Sequence, residues 1–379
     1  MTLVLESFPR PRRTTNPYLT QLLAELPPDV PTRTFEWRTA LLGRYDVFHV
    51  HWPEKLLRGT SRAKTAARFV TTGLLLARLA LTRTAVVRTL HNVDPHEAGG
   101  RLERAVLRRV DRLTTVFVRL NGTTPLPADA RPGTPLVTIP HPHYRDWYAS
   151  CPRGRARPGR VLFFGLVRPY KGVEELVQAF RDLPGDSLEL RVVGSPETPA
   201  LRRTVEELAA ADPRVGLRLE YVDDDTLAEE VGAASLVVLP YRRLHNSGAA
   251  LLALSLDRPV LVPAGATSAE LAAEVGDAWV STFEGTVTPA DLRAALDRAA
   301  ALDLGTDHPD LSARDWASVA AAHADVFRTA RRLARAPRRA RRAREHDSSP
   351  DTPGQGHPVR ATVGEHTSVG VTGSKESSR

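Results

Sequence analysis

Gly165-Leu166-Val167-Arg168-Pro169-Tyr170-Lys171-Gly172 is the stretch on which the reading of this chain turns. It follows an apolar run, Val161 to Phe164, with the character of a buried strand. It leads into Val173 to Arg181, whose apolar residues recur at helical spacing. A loop between a strand and a helix gathers unpaired backbone N–H groups and the positive end of the helix dipole, and here Arg168 and Lys171 add two cations. Such a site suits a phosphate or a diphosphate. An ordinary strand-to-helix turn carrying two solvated charges would read the same way. Neither the Gly-x-Gly-x-x-Gly of a dinucleotide fold nor the Gly-Lys-Ser/Thr of a Walker loop is present.

Working outward, the chain alternates short apolar runs with helical patterns. Downstream of the loop come strands at Leu188 to Val193, Leu217 to Val222, Leu236 to Leu239 and Val260 to Val262, with helices between them. Upstream, strands are expected at Thr2 to Leu5, Thr32 to Trp37, Val47 to His51, Ala85 to Leu90, Thr114 to Val118 and Leu136 to Ile139. Helices are expected at Asn16 to Leu26, Arg62 to Leu81 and Arg101 to Val110. This is the pattern of an α/β protein with mostly parallel sheets covered by helices. Arg153 to Gly159 reads as a linker, which divides the chain into a domain over 1–152 and a second over 160–310. Helical stretches at Ala290 to Ala301 and Ala313 to Leu333 follow, so a terminal helix over 311–335 is in a position to pack back on the first domain. Residues 336–379, rich in Ser, Thr, Gly, Pro and charge, read as a disordered basic tail.

Composition sets the outer limits. The chain has 379 residues, 42% of them apolar, enough for two cores. Its single cysteine, Cys151, excludes an internal disulfide framework and fits a reducing cytoplasm. Met1 to Phe8 reads as a first strand and not as a signal peptide, and no window approaches a membrane span. The protein is therefore expected in the cytoplasm, at most peripheral on the inner face of a membrane. The net charge of +8 is local: nine arginines and no acid lie between Arg328 and Arg344, more than the whole excess. A second basic segment, with eight Lys or Arg and no acid from Lys55 to Val93, surrounds the apolar run Phe69 to Leu81. It fits either packing on the sheet or contact with an anionic membrane surface.

In an open parallel sheet, ligands bind at the carboxyl ends of the strands. His49 and His51 stand there at a spacing that puts both on one face. His91-Asn92 follows its strand, with Asp94, His96 and Glu97 close behind, and His141 and His143 follow theirs. No metal is expected, since no His-Glu-x-x-His or cysteine ligand pattern accompanies these histidines. Asp223-Asp224-Asp225 has the composition of a cation site but sits where helix capping explains it.

Arg168-Pro169-Tyr170-Lys171-Gly172, Thr89-Leu90-His91-Asn92, Asn16-Pro17-Tyr18, and the stretch from Leu239-Pro240-Tyr241 through Ser247-Gly248 to Arg258-Pro259-Val260 together resemble a nucleotide-sugar-dependent glycosyltransferase of the two-Rossmann-domain (GT-B) fold. The similarity is to the family 4 type and to bacterial mannosyl and exopolysaccharide transferases, over residues 1 to about 330. It implies an acceptor-side first domain and a donor-binding second domain. The donor is a GDP- or UDP-sugar, no separate cofactor is needed, and the acceptor is a glycan or a lipid-linked glycan. The resemblance further implies that Arg168 and Lys171 neutralise the leaving diphosphate, with Gly165 and Asn16 lining the donor site. Asn246, Ser247 and Gly248 would open a helix onto the same phosphates, and His91 would meet the transferred sugar. Asp94, His96 and Glu97 are candidates for a base if the reaction inverts.

Two family features are missing. The paired glutamates usual before the Pro-Val step are absent, Leu252 standing at the corresponding place, so no residue is assigned to the donor ribose. The arginine usual directly after the glycine is replaced by Leu166, leaving Arg168 to substitute. Two further classes stay open: a sugar-nucleotide epimerase or phosphorylase on the same architecture, and a non-catalytic nucleic-acid binder acting through the arginine tail. No specific nucleic acid is expected as a partner of the leading reading.

Overall fold

A computed structural model describes residues 1–12, 15–91, 99–242 and 248–336. The expectations placed on Asn92, Asp94, His96, Glu97, Asn246, Ser247 and the tail from 337 lie outside the described residues.

The first half runs β1 (Val4–Glu6), α1 (Pro17–Glu25), β2 (Thr32–Arg33), α2 (Trp37–Leu42), β3 (Val47–Val50), α3 (Arg62–Thr82), β4 (Ala85–Leu90), α4 (Arg101–Leu113), β5 (Val116–Arg119) and β6 (Leu136–Thr138). The second half runs β7 (Arg160–Phe164), α5 (Val173–Arg181), β8 (Glu189–Val193), α6 (Pro199–Ala210), β9 (Val215–Arg218), α7 (Asp224–Ala233), β10 (Leu236–Val238) and α8 (Gly248–Ser255). It ends with β11 (Val260–Pro263), α9 (Ala266–Val275), β12 (Val280–Phe283), α10 (Pro289–Ala299) and α11 (Trp316–Arg335). Among the described residues the strands form two six-stranded sheets, ordered β2-β1-β3-β4-β5-β6 and β12-β11-β10-β7-β8-β9. Every pairing is parallel. Two parallel sheets with interleaved helices make the GT-B architecture.

Helices cover both faces of each sheet, which is why the central strands are apolar without alternation. In the first sheet, Val4, Val47, Ala85 and Val87 pack under α1 and α11, while Leu5, Phe48, Val50 and Val86 pack against α2, α3 and α4. The second sheet shares one large core in which Tyr144 and Tyr148 already take part, ahead of the Arg153 to Gly159 segment.

Helix α11 crosses back from the second domain and lays Trp316, Val319, Phe327 and Ala330 on the first sheet. Its arginines do not form a free basic face: Arg328 pairs with Asp29 and Asp325, and Arg331 and Arg335 pair with Asp46. The two domains also touch beside the cleft. Gly122 N–H donates to Glu270 (3.1 Å), Thr123 and Thr267 hydroxyls meet at 2.9 Å, and Arg314 makes a bidentate pair with Glu274 while also donating to the His141 carbonyl.

Several elements depart from the expectations. Thr32 to Trp37 is strand only over its first two residues, with α2 beginning at Trp37, and β9 lies two residues early, over Val215–Arg218. Both β2 and β9 are edge strands, paired on one side, so local pattern constrains them weakly. Helix α9 and strand β12 were not foreseen. Asp223 caps α7, accepting from the Thr226 N–H at 2.9 Å, as its position before the helix led one to expect.

Candidate active site between the two sheets

On the second domain, the loops after β7, β8 and β10 converge. Gly165 and Gly194 both have positive φ (112° and 144°), and a Cβ on Gly194 would run into the Gly165 carbonyl. Gly172 also sits in the left-handed region (φ 65°), with its α-carbon against the Pro240 carbonyl, and the Arg242 N–H donates to the Tyr170 carbonyl. Only glycine meets both demands at these places, backbone conformation and close approach.

These contacts position Lys171. Its ammonium donates to the Tyr241 hydroxyl at 3.2 Å, lies 4.7 Å above that ring, and has Gly165 beside it, where an added Cβ would stand 3.4 Å away. Burial, with Arg168 nearby, pulls the Lys171 amine down to about 8. Arg168 itself is paired with Glu197 at 3.2 Å, on the loop after β8. Tyr221, at the edge of this region, is 72% exposed.

Helix α8 begins at Gly248. A Cβ there would lie 3.2 Å from the Tyr144 hydroxyl and 3.9 Å from His141 Nε2, so this helix start faces the histidine-rich side of the first domain.

That side is built by strand periodicity. Glu6, His49, His51, Thr89 and His91 fall at even steps from Val4, Val47 and Val87, so they continue the apolar rows of the α1 and α11 face toward the carboxyl ends of the strands. Parallel register sets Glu6 opposite His49. Glu6 is fully buried. His49 Nδ1 donates to its carboxylate, 3.1 Å from Oε1 and 3.0 Å from Oε2, and His51 Nε2 donates to Oε2 at 3.2 Å. His49 Nε2 meets Thr89 Oγ1 at 2.8 Å, and His51 Nδ1 meets His91 Nε2 at 2.9 Å. Burial raises the Glu6 carboxyl, but attraction and hydrogen bonds from His49 and His51 outweigh it and hold the group at about 2. Burial and His49 pull His51 down to about 4 against the pull of Glu6, and burial with neighbouring histidines takes His91 well below the ordinary histidine range.

The His91 ring stacks on Trp52 (centroids 4.2 Å apart, 22°) and takes the edge of Tyr18 at 5.2 Å. Tyr18 also contacts His141 at 5.1 Å, and its hydroxyl donates to His323 Nε2 at 3.3 Å, the other nitrogen of that ring being bound to the Val319 carbonyl. Asn16 caps α1 by accepting from the Tyr18 N–H at 3.0 Å, so it acts by placing this tyrosine.

Ligand atoms of Glu6, His49 and His51 lie within 4.8 Å of one another, the donor set of a divalent cation. Both carboxylate oxygens and all four ring nitrogens are nevertheless engaged in the hydrogen bonds just described, so we read a hydrogen-bonded network. The structure therefore brings Gly165, Arg168 and Lys171 together on the second domain, sets Gly248 toward His141 and Tyr144, and places His91 among the histidines and aromatic rings at the strand ends of the first. Sequence reasoning missed Glu6. Its signal was an acid in phase with Val4 at the end of an otherwise apolar strand.

Comparison with known proteins gives the family and the fold. A family model described as "Glycosyl transferases group 1" matches residues 158–301. A GDP-mannose:glycolipid 4-beta-D-mannosyltransferase of Xanthomonas campestris pv. campestris is 51% identical over 321 residues, covering 84% of this chain and 90% of that protein; a second of the same name is 50% identical over the same length. Among solved structures, sucrose-phosphate synthase from Thermosynechococcus elongatus superposes with a TM-score of 0.58 at 15% identity, over 87% of this chain and 99% of the other. Anabaena HepE in complex with UDP and glucose gives 0.52 at 15%, over 88% and 98%. At such identities these two support the fold alone.

Proposed function

The chain belongs to the group 1 glycosyl transferase family, and from that membership we propose that it moves mannose from GDP-mannose to the 4-hydroxyl of a sugar on a glycolipid, with inversion at the anomeric carbon. The observation that carries this is 51% identity over 84% of the chain to a transferase of that name, joined to a cationic loop on the second domain and a histidine cluster at the strand ends of the first. Mannose is α-linked to the diphosphate in the donor, and a β-product requires attack from the opposite side. In one displacement the acceptor oxygen bonds to C1, the bond from C1 to the phosphate oxygen breaks with its electrons, and the acceptor proton passes to a base.

Charge then grows on the leaving diphosphate. Lys171 meets it with an ammonium already held against Tyr241, and Arg168 adds a second charge by exchanging Glu197 for phosphate oxygens. The start of α8 at Gly248 supplies dipole and backbone donors from the same side. Trp52, partly exposed, with His91 stacked on it and Tyr18 fully buried behind, gives the aromatic surface on which a sugar ring rests.

The acceptor lies in a membrane, and α3 is the surface that meets it. No helix among the described residues is long and apolar enough to cross a bilayer. Along α3, however, Val70, Leu74 and Leu81 are 64%, 57% and 84% exposed, on a segment with eight cations and no acid between Lys55 and Val93. That combination fits an anionic lipid face. Cosedimentation with phosphatidylglycerol-containing vesicles should be strong at low salt and reduced about tenfold by Val70→Glu with Leu74→Glu; equal binding by the variant would remove α3 from the proposal.

Incubation of the purified enzyme with labelled GDP-mannose and a glycolipid ending in a hexose tests the reaction. Lipid-bound label released by β-mannosidase supports it. Label released by α-mannosidase, or transfer from a UDP-sugar in preference, would overturn it.

A further inference from the structure

We infer that helix α9 carries both the pivot and the latch of a domain motion made in each turnover. The second domain turns on two crossover segments, 140–143 and 312–315. The contacts of Thr267 and Glu270 with Gly122 and Thr123 break and re-form as it turns. The inference rests on the transfer proposed above, whose two substrates enter between the domains.

The crossovers are located by the cores they leave. Ile139 and Trp316 belong to the core of the first sheet, whereas Tyr144, Tyr148 and Leu311 belong to that of the second. Asp257, which follows α8, fastens the second-domain ends of both. Arg145 reaches it at 3.4 Å, Arg153 at 3.2 Å and His308 at 3.1 Å, and Arg145 also donates to the Pro309 carbonyl. Between these anchors only 140–143 and 312–315 remain, and they are bonded to each other. His143 N–H donates to the Arg314 carbonyl at 3.1 Å, His143 Nε2 donates to Asp315 at 2.8 Å, and Trp316 Nε1 donates to the His143 carbonyl at 3.1 Å. The two segments therefore move as one short hinge.

Helix α9 runs away from that hinge with one polar face, Thr267, Glu270 and Glu274, set by helical spacing. Glu274 lies at the hinge itself, where it holds Arg314 at 2.7 and 2.5 Å while Arg314 donates to the His141 carbonyl at 2.8 Å. Thr267 and Glu270 lie beyond it, against the loop after β5. Asn121 shapes that loop, accepting from the Thr123 and Thr124 N–H groups and from the Thr123 hydroxyl at 2.7 Å. With its proton on Asn121, Thr123 Oγ1 is left to accept, so Thr267 donates across the 2.9 Å contact. Glu270 accepts from the Gly122 N–H at 3.1 Å.

Contact strength falls with distance from the hinge. Arg314 is 9% exposed and its pair with Glu274 is bidentate and charged. Glu270 and Gly122 are exposed, and the outer contacts are single hydrogen bonds. Thr267 stands about 10 Å along the helix from Glu274, so a turn of about 10° displaces it by about 2 Å and parts its hydroxyl contact while Glu274 barely moves. A Cβ on Gly122 would come within 2.5 Å of the Glu270 carboxylate, so glycine lets the loop seat against α9. Both latch partners follow strand ends, β5 in the first domain and β11 in the second, where ligands of open parallel sheets bind. A latch there sets the spacing of the two sheets, and breaking it widens the way in for the donor and out for GDP.

A reversible lock tests this in the full-length enzyme. Thr123→Cys with Thr267→Cys is made in a Cys151→Ser background, so that only the new pair can bridge. Hydroxyls that meet at 2.9 Å put the two side chains in disulfide range. Mild oxidation should close the bridge and lower kcat for mannosyl transfer by about tenfold or more, since opening is then barred. Dithiothreitol should restore the rate in the same protein, which removes misfolding as an explanation. The Gly122 amide, whose acceptor Glu270 is untouched, should exchange its hydrogen about tenfold more slowly in the bridged form than in the reduced one. The inference is overturned if the bridge does not form, if the oxidised protein transfers at the reduced rate, or if exchange at Gly122 is the same in both forms. Absence of transfer by the wild-type enzyme would instead count against the reaction itself, and the exchange measurement, which needs no transfer, separates the two failures.

Discussion

Donor binding should be linked to a proton on Lys171. Its amine sits at about 8 in the free protein because burial and Arg168 disfavour the charged form. A diphosphate at the same place supplies the missing counter-charge and returns the amine toward its ordinary value of roughly 10.4. The free protein carries the Lys171 proton in about nine molecules of ten at pH 7 and about one in four at pH 8.5, by linkage through that value. GDP affinity should therefore weaken about fourfold between these two pH values. Binding should take up roughly 0.1 proton at pH 7 and about 0.75 at pH 8.5. Calorimetry in two buffers of different ionisation enthalpy measures the uptake directly. In Lys171→Met both the pH slope and the uptake should shrink to whatever guanine and the other groups contribute. Equal proton uptake by wild type and Lys171→Met would refute the placement of the diphosphate at Lys171.

Acid should unfold the protein early. His51, His91, His141 and His323 are buried with depressed values, so the unfolded chain binds protons that the folded one refuses. Their contribution is intact above about pH 6.5 and is lost as pH falls toward 4 and below, about 2 kcal/mol per histidine at pH 5. Urea midpoints at pH 7.5 and pH 5 check this, and an unchanged midpoint would contradict it. Gly172→Ala should cost about 1–2 kcal/mol for its left-handed φ alone and more through the Pro240 carbonyl. The same change should move Lys171 off Tyr241, so that GDP binding falls by more than Tm does; loss of Tm with donor affinity intact would show that the loop tolerates the shift.

Much of this protein is written locally. Two α/β halves, the strand-loop-helix at Gly165 to Gly172 and the capping role of Asp223 follow from short-range rules: apolar runs where both faces of a sheet are covered, glycine where φ is positive, an acid where a helix begins. Extents were legible to the residue at β4 and α5, where packing and local preference agree. Helix α9, with four alanines in ten residues, and the short edge strand β12 left little local trace, because their neighbours and not their own pattern stabilise them. The histidine network is of the other kind. Glu6 and His49 stand 43 residues apart, and only parallel register between β1 and β3 sets them side by side. Their burial depends on α11, which leaves the second domain and returns to lay Phe327 and His323 over them. The sequence by itself determined the fold class, the cationic loop and the strand ends where a ligand would sit. Only the tertiary structure decided which polar residue became a buried carboxylate and which histidine stands at the cleft, since register and the return of α11 depend on free energy summed over the whole packed chain.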